Sequence, residues 1–111
     1  MGTPSIQRAT RSLAKSIDWI RTDGQEWTFV GLSQEFSEAA VQGRVDRFFP
    51  EERLYLVFGG RDSAEVPRAQ AAHLVKELLL VREVSLWDTG LRRTLQFNRM
   101  GLCKAGMVRS K

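Results

Sequence analysis

The chain has 111 residues, 42% hydrophobic and 27% charged, with a formal charge of +4 and a pI near 9.8. That length suits one domain able to bury a core without metals or disulfides, and that composition excludes wholesale disorder. A lone cysteine, Cys103, excludes an internal disulfide and a cysteine zinc cage, and no window approaches a membrane span or a signal-peptide core, so a cytoplasmic protein is expected.

In chain order, Ile6, Ala9, Leu13, Ile17 and Ile20 recur at helical spacing and predict a first helix, with Pro4 and Ser5 at its start. Asp23-Gly24 reads as a turn, and EWTFV after it as a short strand with Trp27 and Phe29 on one face and Thr28 and Val30 on the other. Ser33 or Ser37 caps a second helix, lined by Val41, Val45 and Phe48 on one side and by Glu35, Glu38, Gln42 and Asp46 on another, and Pro50 ends it. RLYLVF, residues 53–58, is apolar on both faces, as a central strand covered on both sides should be.

A loop from Gly59-Gly60 through Val66 leads to Pro67, placed at the first turn of a third helix that reaches about Leu80. Ala71, Leu74, Val75 and Leu78 form its inner stripe, and Gln70, His73 and Glu77 its outer face. VREVSLW, RTLQFNR and LCKAGMV are three strands joined by a turn at Thr89-Gly90 and a bend at Gly101, with Leu95 and Phe97 facing inward. The expected architecture is a single α+β domain over 1–111: helix-strand-helix-strand-helix, then a three-stranded meander, with one sheet packed against three helices.

No pattern of catalysis emerges. A nucleophile needs a base within reach, and His73, the only histidine, falls on a solvated helix face. Cys103 sits among apolar neighbours and reads as a small core residue. GGRDS lacks the glycine spacing and the Lys-Ser/Thr ending of a phosphate loop, and the carboxylate pairs Glu51-Glu52 and Asp62 with Glu65 read as hydrated surface. One histidine and no cysteine pair leave no metal set, so neither enzyme activity, metal, cofactor nor small-molecule substrate is expected.

The charge is unevenly placed. Residues 23–65 carry nine acidic and four basic side chains, whereas 90–111 carry six basic and none acidic. Two surfaces follow. A negative one of Asp23, Glu26, Glu35, Glu38, Asp46, Glu51, Glu52, Asp62 and Glu65 would steer a cationic protein partner. The alternative is a nucleic-acid site on Arg92, Arg93, Arg99, Lys104 and Arg109, although Phe97, facing inward, has no ring free to stack on a base. Trp19, Trp27 and Trp87 are candidate interface anchors or core residues.

The segments IDWIRTDGQEWTFV, RLYLVFGGRDSAEVPRAQAA and LWDTGLRRTLQFNRMGL together resemble small bacterial immunity proteins, those of contact-dependent growth inhibition and related polymorphic toxin systems. The resembling parts are the aromatic strand after the first helix, the strand-Gly-Gly-loop-Pro-helix unit, and the Leu-Trp-Asp strand followed by one ending in Asn-Arg-Met-Gly. The resemblance implies a cytoplasmic α+β protein that binds one cognate toxin domain, often a nuclease, and occludes its active site without activity of its own. It assigns no contact residues by position.

Overall fold

The computed structural model describes residues 3–58 and 62–109. Its first helix stops short of the apolar spacing that predicts it: α1 covers Thr3–Leu13, a 3-10 turn covers Ala14–Ser16, and Ile17–Trp19 form strand β1. Ile17 keeps the helical spacing in number only. Its β-branched side chain suits a strand, and there it pairs with Val108 and packs with Val57 and Trp87.

Thr22 and Gln25 exchange both backbone hydrogen bonds, 2.8 and 2.9 Å, across Asp23-Gly24. Both turn residues have positive φ, 53° and 79°, the two-residue hairpin geometry that Asp-Gly favours. Strand β2 is only Thr28–Phe29, and Ser33–Glu35 form a 3-10 turn. Helix α2 covers Glu38–Phe48 and is capped by Ser37, whose Oγ accepts the Ala40 N–H at 3.2 Å.

Strand β3 is Arg53–Phe58 and strand β4 is Asp62–Pro67. The expected loop is thus corrected to a strand. The polar run Asp62–Glu65 hides it, because an edge strand has one neighbour only and tolerates charge and a terminal proline. Pro67 is extended at the end of that strand instead of opening a helix; a 3-10 turn, Arg68–Gln70, precedes helix α3 at Ala71–Leu78. The Gly59-Gly60 pair lies outside the described residues. Strands β5, β6 and β7 are Val84–Asp88, Arg93–Phe97 and Leu102–Val108.

All seven strands join one antiparallel sheet in the order β1-β7-β6-β5-β3-β4, with β2 also paired to β7. The α+β class and the three helices stand, but the sheet is larger than the expected five strands. The two additions, β1 and β4, are its edges.

Strand alternation divides the core into two layers. Leu54, Leu56, Leu86, Leu95, Phe97 and Cys103 meet Val41, Val45, Val75 and Leu79 from the α2 and α3 side. On the other face Val57 and Trp87 pack with Ile17 and with Ile6 and Leu13 of the α1 segment. So β3 is covered on both sides, and Leu95 and Phe97 point inward as their spacing requires. Gln42 ties α2 to α3: its Nε2 donates to the Arg68 carbonyl at 2.8 Å and its Oε1 accepts the Ala72 N–H at 3.1 Å, satisfying an orphan donor of the α3 first turn. A Cα radius of gyration of 12.9 Å matches one packed domain of this length, since a domain of about 100 residues has a value of about 13 Å. No helix among the described residues is long and apolar enough to cross a membrane.

Candidate functional site: a basic groove at the end of the sheet

The nine carboxylates of the acidic middle do not form one face. Asp23 and Glu26 lie in the β1–β2 connection, while Asp62 and Glu65 lie on β4 at the opposite edge, five strand spacings or about 24 Å away. Even the β4 pair divides, since Asp62 sits opposite Phe58 on the α2/α3 face and Glu65 opposite Tyr55 on the α1 face. Five of the nine hold a local basic partner: Glu26 with Arg21 at 3.3 Å, Asp46 with Arg68 at 3.3 Å, Asp62 with Arg82 at 2.8 Å, Glu65 with Arg53 at 2.7 Å, and Glu38 with His73 and Lys76 at 3.2 and 3.7 Å. Glu51 Oε1 is buried without a hydrogen-bond partner among the described residues, and Asp23, Glu35 and Glu52 are exposed singly. A continuous negative surface is replaced by short-range pairs, whose fields cancel within a Debye length.

The basic C-terminal residues separate into three environments. Arg99 sits in the β6–β7 turn, beyond about 13 Å of β6 from Arg93. Lys104 is enclosed: its Nζ lies 3.8 Å from the Trp19 ring centroid and 4.6 Å from that of Trp27, so two indole faces hold the ammonium. Two of the three candidate anchor tryptophans are used in this clamp. The third, Trp87, is 1% exposed and belongs to the core, so it cannot meet a partner.

Arg92, Arg93 and Arg109 do come together. They rim an open groove of about 740 Å³ whose remaining lining is Leu13, Gly90, Leu91, Met107 and Val108. The β5–β6 turn builds it. Asp88 ends β5 at 2% exposure, and its Oδ1 accepts the backbone N–H groups of Arg92 at 2.7 Å and Arg93 at 2.8 Å. Leu91, at φ 57°, donates its N–H to the Asp88 carbonyl at 3.0 Å. The second wall is β7, where Met107 lies across from Arg93 and Val108 donates to the Arg92 carbonyl at 2.8 Å. Arg109 is held against the segment after α1: its guanidinium donates to the Lys15 carbonyl at 2.9 Å and pairs with Asp18 at 3.2 Å.

The electrostatics are therefore unequal around the rim. Asp18 offsets Arg109, and the Asp88 carboxylate faces the two backbone amides. Neither the Arg92 nor the Arg93 guanidinium has a carboxylate partner within 4 Å among the described residues. Met107, 43% exposed and across from Arg93, presents thioether and methylene surface in the same lining. The arrangement is suited to recognition: cations on an anchored main chain beside aliphatic surface.

Sequence reasoning found the arginines but not their organiser. Asp88 falls in a charge-balanced stretch, and only the turn-forming run Asp-Thr-Gly signals that its carboxylate serves the backbone beyond the turn. Leu13 and Met107 carry no local signal at all, since they reach the groove from the two ends of the chain.

The two residues weighed for catalysis and read as solvated surface and core lie away from it. His73 is exposed on α3 with its Nδ1 3.2 Å from Glu38 Oε2. Cys103 is fully buried, and burial pushes its thiol up from 9.0 to about 11, with the Arg44 charge opposing that rise. Folding thus extends the range over which the thiol stays protonated from about pH 9 to about pH 11. Because the unfolded thiol ionises first, this contribution to stability is complete below pH 9 and declines as the pH rises towards 11. A chromogenic disulfide reagent at pH 8 is expected to leave the native protein unmodified and to react at once in denaturant; fast native modification would contradict the burial. Among the described residues no group of three or more His, Cys, Asp or Glu is placed to hold a metal ion. No protein-family model, curated protein or solved structure matches this chain.

Proposed function

We propose that the chain is an immunity protein, a non-enzymatic domain that binds a cognate bacterial toxin domain and covers its active site. The observation that carries this reading is the groove lined by Arg92, Arg93 and Arg109 with Leu13, Leu91, Met107 and Val108, a site with charge, apolar surface and a main chain anchored by Asp88. Arginine and methionine are enriched at protein interfaces, and a few such anchors within about 800 Å² per partner supply most of the affinity. The resemblance of the three quoted segments to immunity proteins supplies the class of partner. Arg99 and Lys104, which a track of nucleic-acid phosphates would need, stand apart from the groove, and this favours a protein partner over the nucleic-acid alternative.

Co-expression with the toxin domain encoded beside this chain tests the proposal. The expected result is a complex that survives purification and cells that survive the toxin. Reversing Arg92 and Arg93 to glutamate should weaken the complex about a hundredfold or more, mainly through faster dissociation. Neither complex nor protection with the unaltered chain would overturn it.

A further inference from the structure

The cations that define the groove also restrict what enters it. We infer that its occupant is an acidic segment of the partner protein, a carboxylate side chain flanked by an aliphatic one; this rests on the immunity reading for the identity of the partner, and on the groove alone for the chemistry. Arg92 and Arg93 follow one another in the chain, and one carboxylate holds both their backbone amides, so the main chain that carries the two guanidinium groups is set before a ligand arrives. Each guanidinium can donate two parallel hydrogen bonds to a carboxylate, a geometry an ammonium cannot reproduce.

The floor decides between anions. Leu13, Leu91 and Val108 are aliphatic and Met107 nearly so, and none offers an aromatic face to a nucleobase. A phosphate strand would need cations repeated along its length, yet Arg99 lies beyond β6 and Lys104 lies between two indoles. A small amphiphile is favoured where a cavity encloses most of it, and this groove is open along the sheet end. A peptide segment lying across the opening satisfies both halves: carboxylate to the rim, aliphatic side chain to the floor. Asp18, already paired with Arg109, adds a like charge on that side and directs the carboxylate towards Arg92 and Arg93. The partner surface is thus negative where it meets this chain, the opposite sign from that expected of the acidic middle.

The experiment is an amide chemical-shift titration of the intact protein with four probes: a capped hexapeptide of alternating leucine and glutamate, the same peptide with glutamine for glutamate, a twelve-residue oligothymidylate, and inorganic phosphate. The acidic peptide is expected to shift Leu91, Arg92, Arg93, Val108 and Arg109, with the glutamine peptide at least about tenfold weaker. Arg92→Gln with Arg93→Gln should abolish the shifts, and lysine at both positions should restore only part of them. Equal binding of both peptides, phosphate or oligothymidylate binding as tightly as the acidic peptide, or shifts elsewhere would overturn the inference. If the peptide titrates but the neighbouring toxin domain forms no complex, the immunity reading fails and the groove chemistry stands. If that complex forms and ignores the arginine substitutions, the groove chemistry fails and the immunity reading stands.

Discussion

Gly106→Ala is expected to destabilise the chain by about 3 kcal/mol or more, because overpacked sites cost 1–3 kcal/mol even where neighbours yield a little. Here they have no room. A Cβ at this position of β7 would overlap Ile17 Cγ2 and lie 2.7 Å from Trp19 Cε3, both side chains of β1 crossing directly above the glycine. Relief requires β1 to lift from β7, and β1 holds only three register pairs, Ile17 with Val108, Asp18 with Met107 and Trp19 with Gly106. Ile17 would then leave the cluster it shares with Val57 and Trp87, loosening the packing of α1 behind it. At several degrees per kcal/mol, the melting temperature should fall by roughly 15 °C. Displaced Trp19 would also release Lys104, which indole fluorescence would register. A melting temperature within about 2 °C of the parent would show that β1 is not seated on Gly106.

Asp88→Ala should cost a similar amount by a different route. The buried carboxylate is the acceptor for two backbone donors, and each orphaned N–H costs about 1–3 kcal/mol. Alanine strands both. Asparagine keeps a carbonyl oxygen at the Oδ1 position, so Asp88→Asn should recover most of the loss. Denaturant titration of the two variants separates hydrogen bonding from charge: equal damage in both would mean that the negative charge itself is what the turn requires. The same substitution reads on the site, because Arg92 and Arg93 keep their guanidinium groups while losing the anchor of their main chain. Binding by Asp88→Ala should therefore weaken with the arginines intact.

These two residues also show where local patterns stop being informative. The strands RLYLVF, VSLWD, RTLQF and LCKAGMV are legible because alternation and β-branched or aromatic content are properties of neighbours in sequence. The Asp23-Gly24 hairpin turn and the Ser37 cap are legible for the same reason. β1 and β4 are not. Ile17–Trp19 is extended because Val108 lies ready to pair with it ninety-one residues later, and Asp62–Pro67 because β3 has an unpaired edge. The partner of β1 lies in no local window, and β4, although its partner β3 precedes it by three residues, is masked by its own polar composition.

Charge was the least transferable signal. The number of carboxylates between Asp23 and Glu65 and of cations after Gly90 can be read directly from the residues, as can the α+β class, three helices and the central strands. It takes the folded chain to turn the carboxylates opposite ways and pair them locally, to set Lys104 against Trp19 and Trp27, and to gather Arg92, Arg93 and Arg109 around a groove with Leu13 and Met107. The reason is geometric: Coulomb interactions depend on distance through space, and antiparallel pairing brings together residues whose separation along the chain says nothing of that distance.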